Sequence, residues 1–195
     1  FFSNRLVAEK ILDPLGIKAI FFVVVGFIEQ SDSFSAHNFI AKGIRSDMEP
    51  SMMPKHWLNM SWIDLGYLIK MGHTIGAHTE SHPRLSGITD QLRLESEIID
   101  SANRLEKNLG VSIEHFAFTF GDSASLSKDA FSVAKRRFKY IYTSLRGDNS
   151  VEGSTLSIYR ETVSPNDSRY LVGSFLFGGV DWVYRKAKVK YGQYL

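Results

Sequence analysis

At 195 residues, with 44% hydrophobic and 23% charged side chains, the chain fits one domain with a core of its own. A net charge of +2 is too small to point to a nucleic-acid partner. No cysteine is present, which excludes a disulfide scaffold and a thiolate metal site and leaves imidazole and oxygen as donors for any metal.

Ser3 or Asn4 can cap a first helix, with Leu6, Val7, Ile11 and Leu12 at helical spacing and Pro14 setting its end near Leu12. Residues 17–25 form a run after Gly16 that is apolar except for Lys18, as expected of a parallel strand covered on both faces. Residues 29–60 are polar and rich in Ser and Met, with Pro50 and Pro54, and read as a long loop with room for a short helix. Ser61, with Asp64 three residues on, caps a helix that Gly72 ends. Residues 73–78 read as the next strand.

Thr89 is expected to cap a long helix with the stripe Leu94, Ile98, Ala102, Leu105 and Leu109, stopped by Gly110. Strands over 113–120, 140–144 and 156–163 follow, with a helix capped by Ser127 between the first two. Alternation of this kind predicts a parallel α/β architecture, open or closed into a barrel. Residues 166–195 differ: an apolar, aromatic stretch from Tyr170 to Tyr184 precedes Arg185, Lys186, Lys188 and Lys190. A C-terminal helix packed on the domain is the expectation, with membrane-surface contact the sharper alternative. The stretch is too short to span a bilayer.

Chemistry concentrates in His78-Thr79-Glu80-Ser81-His82-Pro83. Two imidazoles four residues apart, at the carboxyl end of a predicted strand, sit where parallel α/β folds build their sites. Both rings can reach one ion, and imidazole suits zinc, cobalt or nickel. Spacing alone leaves a second reading open, in which His78 is a buried strand residue and His82 caps the next segment. His73 falls on the opposite strand face from His78. His37, His56 and His115 show no partner pattern.

Longer segments carry a resemblance. Residues 15–23 (LGIKAIFFV), 71–85 (MGHTIGAHTESHPRL) and 115–122 (HFAFTFGD) resemble three motifs of the polysaccharide deacetylase family, over roughly residues 1–165. The resemblance implies a distorted (β/α)7 barrel, incomplete at its N-terminus. It implies that His78 and His82 ligate a divalent metal, usually zinc, with cobalt or nickel as alternatives. Thr79, Phe120 and Gly121 would border the substrate, an acetylated polysaccharide or oligosaccharide. A backbone N–H near Phe120 would steady the oxyanion, and the products would be acetate and a free amine or hydroxyl.

The departures are specific. The family's aspartate pair, third ligand and general base, belongs immediately ahead of Phe1, so the chain is expected to continue upstream of a start that is not Met. Ala117 and Thr119 stand where the third motif often has Arg and Pro. No histidine follows His115 to act as general acid, and Arg160, toward the end of a predicted strand, is a candidate to face the site. A non-catalytic relative that binds carbohydrate or a partner, and a metal-dependent hydrolase of other amides, are the rival readings. The compartment, bacterial cytoplasm or cell envelope, stays open.

Overall fold

The computed structural model describes residues 1–45, 47–147, 149, 157–164, 166–179, 181–186 and 189. Five strands form one parallel sheet in chain order: β1 (Ile20–Val23), β2 (Thr74–Ala77), β3 (His115–Ala117), β4 (Tyr140–Tyr142) and β5 (Ser157–Ile158). β1 and β2 align from Ile20 opposite Thr74 to Val23 opposite Ala77. Each strand pairs with its sequence neighbour and no strand order reverses, the connectivity of a (β/α) barrel rather than a doubly wound sheet. The strands are shorter than the apolar runs that announced them. Leu156, placed in the fifth predicted strand, lies outside the described residues.

Eight helices accompany the described strands: α1 (Phe2–Val7), α2 (Val25–Ile28), α3 (Ser33–Phe39), α4 (Trp62–Lys70), α5 (Gln91–Glu95), α6 (Ser101–Leu109), α7 (Lys128–Lys135) and α8 (Arg169–Leu176). Ser61 and Asp64 form the expected capping box of α4, and Ser127 accepts from the Ala130 N–H to start α7. Asp90, not Thr89, caps α5, accepting from the Leu92 N–H; its carboxylate reaches into the first turn. A π-helical turn, Ser96–Asp100, joins α5 to α6, which ends at Gly110 as expected. Neither Ser3 nor Asn4 caps α1, which begins directly after Phe1.

The main core lies between the sheet and α4 to α7. Leu65, Leu68, Leu94, Ile98, Leu105, Phe116, Phe118, Phe131 and Ile141 are almost wholly excluded from water. A smaller cluster of Val24, Phe27, Ala36, Ile40 and Met53, with Phe1, Phe39 and Trp57 against it, lies beneath residues 29–60. That segment therefore holds more structure than a loop. Asp32 and Ser35 form a capping box, and the helix they start runs into a π-helical turn, Ile40–Ile44.

In the tail, α8 buries Phe175 beneath the Arg146 guanidinium, 3.5 Å from the ring centre. Tyr170, Phe177 and Trp182 stay exposed. No helix among the described residues is long and apolar enough to cross a membrane. Lys188 and Lys190 lie outside the described residues.

Candidate active site

The chain leaves β2 by a tightly held turn. The His78 N–H still donates to Val23 O, at 2.9 Å, so His78 is fixed by the sheet itself. Thr79 and His82 then adopt the left-handed conformation, with φ of 68° and 62°. A β-branched residue rarely does so, and the cost is of order 1 kcal/mol or more at each position. Hydrogen bonds hold the turn against that cost. The Val25 N–H donates to Thr79 O, the Gly26 N–H to Glu80 O and the His82 N–H to Thr79 Oγ1. Glu97, buried in the π-helical turn, accepts from the Glu80 N–H, the Ser81 N–H and the Ser81 hydroxyl at 3.1, 2.9 and 2.5 Å. The Thr119 hydroxyl donates to Pro83 O and ties this turn to the one after β3.

This backbone brings the two imidazoles together, edge to face, with ring centres 5.1 Å apart. His78 Nδ1 lies 2.7 Å from Ala117 O, and His82 Nδ1 lies 2.9 Å from Gly43 O. A carbonyl oxygen can only accept, so each Nδ1 carries the proton and each Nε2 presents its lone pair. Neither Nε2 has a hydrogen-bond partner among the described residues. Burial drives the His78 imidazole down to about 3, with the neighbouring His82 acting in the same direction. Burial also lowers His82, against the pull of its bond to Gly43. Both rings are therefore neutral near pH 7, the form that ligates metal.

A divalent metal fits this pair as two of its donors. With zinc–nitrogen bonds of about 2.0–2.1 Å, two tetrahedrally disposed imidazoles have ring centres roughly 5 Å apart. Backbone carbonyls holding the far ring nitrogens are the usual support for ligating histidines. Among the described residues no group of three or more His, Asp or Glu side chains is gathered to hold a metal. Glu80, the acid between the histidines, is turned away, with its carboxylate 2.8 Å from Arg104.

Phe120 and Gly121 lie at the carboxyl end of β3, both left-handed with φ of 59° and 68°. Phe120 is 38% exposed, and its ring centre sits 4.9 Å from that of His82. The Gly121 N–H turns back to Thr119 O, and the Phe120 N–H has no acceptor among the described residues. A β-carbon on Gly121 would lie 2.5 Å from Ser144 Oγ, so only glycine fits there. Thr79 is completely buried and belongs to the turn, not to the cavity wall. His73, at the other end of β2, is also buried: its Nδ1 accepts from the Ala19 N–H and its Nε2 is 3.1 Å from Asp13.

Three contributors carry little or no mark in the sequence. Glu97 stands on the apolar side of its helix between Leu94 and Ile98, and an acid there is a legible anomaly. Gly43 gave no signal: its carbonyl reaches His82 because a side chain would meet Ser81 O at 2.9 Å. Arg160 donates from Nε to Thr143 O at 2.8 Å and from Nη2 to Ser144 Oγ at 3.3 Å. Burial lowers its pKa, and it has no carboxylate partner among the described residues.

A cavity of about 170 Å³ is lined by Phe1, Asn4, Phe22, His78 and His82, among others, so the start of the chain faces the paired imidazoles.

Known structures share this fold. A Streptococcus pyogenes deacetylase, PplD, solved in complex with acetate, superposes with a TM-score of 0.68 at 20% identity, over 89% of this chain and 65% of that one. A de-N-acetylase from Aggregatibacter actinomycetemcomitans gives 0.64 at 12% identity, over 89% and 70%. IcaB from Ammonifex degensii gives 0.59 at 17% identity, over 92% and 67%. This chain thus spans about two thirds of each of these proteins. No curated protein matches it significantly. Residues 7–137 match the polysaccharide deacetylase family, and the chain belongs to that family.

Proposed function

We propose that this chain is the metal-dependent hydrolase domain of an enzyme that removes acetyl groups from a polysaccharide or oligosaccharide. The observation that carries the reading is the pair His78 and His82, neutral, with each Nδ1 held by a carbonyl and each Nε2 free, on the fold of a deacetylase family. His78 and His82 would hold the metal, with zinc the leading choice and cobalt or nickel as alternatives. Bound there, the metal supplies Lewis-acid chemistry at an acetyl group.

The chain's own groups divide the remaining work. Phe120 offers an apolar wall beside His82 for the acetylated sugar, and its free N–H is a donor for the developing oxyanion. Thr79 and Glu97 keep the histidine turn in its left-handed form. A carboxylate carried on the amino side of Phe1 would enter the cavity shared with the two imidazoles. It would serve there as third ligand, with a second carboxylate as general base taking the proton from water.

Elemental analysis of the protein with its native upstream residues, paired with acetate release from acetylated oligosaccharides, tests the reading. About one divalent metal per chain and acetate release that stops on chelation are expected. Metal-free protein with full activity would overturn it.

A further inference from the structure

A second, larger concavity opens beside the imidazole pair. It has a volume of about 520 Å³ and reaches from His82 and Phe120 to Lys42, Arg84 and Arg93, with Phe39 on its wall. No Asp or Glu lines it. Arg84 is already compensated: Nη1 lies 3.0 and 3.1 Å from the two Asp122 oxygens, and its guanidinium covers the Phe120 ring at 4.2 Å. Lys42 and Arg93 differ, because neither forms an ion pair or a side-chain hydrogen bond among the described residues.

Several cations elsewhere on the surface are matched, although others, such as Lys10, Lys70 and Lys107, form no ion pair among the described residues. Arg45 pairs with Asp47, Arg136 with Glu95, Arg137 with Glu106 and Lys139 with Glu114. Two uncompensated cations thus face one groove that runs into the candidate active site. A concavity of one sign concentrates ligands of the opposite sign.

We propose that this groove binds a negatively charged stretch of glycan, carrying carboxylate or phosphate groups, next to the acetylated sugar. Lys42 and Arg93 select the charge, and Phe120 and Phe39 offer apolar faces to the sugar rings. The proposal rests on the deacetylase reading for its sugar, and on the unpaired cations for its charge. Lys42 adjoins Gly43, so an anion at Lys42 lies one residue from the carbonyl that holds His82.

The test uses the protein with its native upstream residues and three probes of matched length: a neutral N-acetylglucosamine oligomer, an acetylated galacturonate oligomer and an acetylated glycan bearing phosphates. Binding is measured by calorimetry and acetate release is followed in parallel. At about 50 mM salt the charged probes should bind about tenfold more tightly than the neutral one, and about 500 mM salt should erase most of that advantage. The double variant Lys42→Ala, Arg93→Ala should lose the preference, and Lys42→Arg should keep it. Preference for only one charged probe identifies the anion as carboxylate or phosphate. Equal binding of all three probes, or a preference that survives the double variant, overturns the proposal. Acetate release from every probe at equal efficiency also overturns it while leaving the deacetylase reading intact. A charge preference with no acetate release from any probe removes the deacetylase reading and keeps the groove.

Discussion

The two ends of β2 each carry a histidine, and the pair shows how position decides use. His73, before the strand, is enclosed by the protein: its Nδ1 accepts from the Ala19 N–H, its Nε2 faces Asp13 at 3.1 Å, and its ring packs edge-on against Phe21 at 5.3 Å. His78, after the strand, spends only Nδ1, on Ala117 O, and keeps Nε2 for the cavity. Both are buried or half-buried imidazoles that flank one short strand. The difference follows from chain direction. At the amino end of a parallel sheet, helix C-termini and incoming turns close over the side chains. At the carboxyl end the strands splay into loops that leave a cavity.

If the two ends do different jobs, removing each ring should have a different consequence. His78→Ala should abolish metal uptake and lower acetate release on the order of a thousandfold, with little change in urea midpoint. Metal retained by that variant would erase the distinction. His73→Ala should do the reverse: a loss of about 2–3 kcal/mol in urea unfolding, from a cavity and an unpartnered Ala19 N–H, with metal content unchanged.

A smaller effect is expected one layer out. Glu97→Gln keeps the shape of the carboxylate and removes the charge that accepts three donors from residues 80 and 81. Metal affinity should fall about tenfold in a competition titration, with about 1 kcal/mol lost in stability. Unchanged affinity would mean that the turn holds its form without Glu97.

The smallest effect is a slope. In metal-stripped protein the folded His78 titrates at about 3, below its ordinary value near 6.5. The unfolded chain thus binds its proton first, and stability is complete above about pH 6.5 and is lost as pH falls below it. Thermal melts from pH 7 to 5 should decline less steeply in His78→Ala than in the parent protein.

Much of the scaffold could be read in advance because its signals are local. Ser61 with Asp64, Ser127 and Gly110 mark helix ends through neighbours within four residues. The apolar runs around Phe21, Ile75, Phe116 and Ile141 announce strands covered by helices. Residues 29–60 hold the short helix the sequence allowed and more, and its extent is illegible because four of the seven residues of α3 are polar; Ala36, Phe39 and the following Ile40 pack with Phe27 and Met53 from outside the helix.

The residue types and spacing of the site were equally local: His78, His82 and Phe120 stand in motifs that neighbouring letters reveal. Their supports were not. Gly43 lies 39 residues from His82, and Ala117 lies 39 residues from His78. Either carbonyl could belong to any residue, so nothing in the letters marks it as a partner.

The sequence by itself determined a parallel α/β chain with two imidazoles at the mouth of its second strand, because periodicity and spacing act over a few residues. Only the tertiary structure decided which ring nitrogen each imidazole offers, that Thr79 is enclosed within the turn, and that Lys42 and Arg93 share a groove. Those outcomes depend on which distant carbonyls, acids and cations the fold brings within hydrogen-bonding reach.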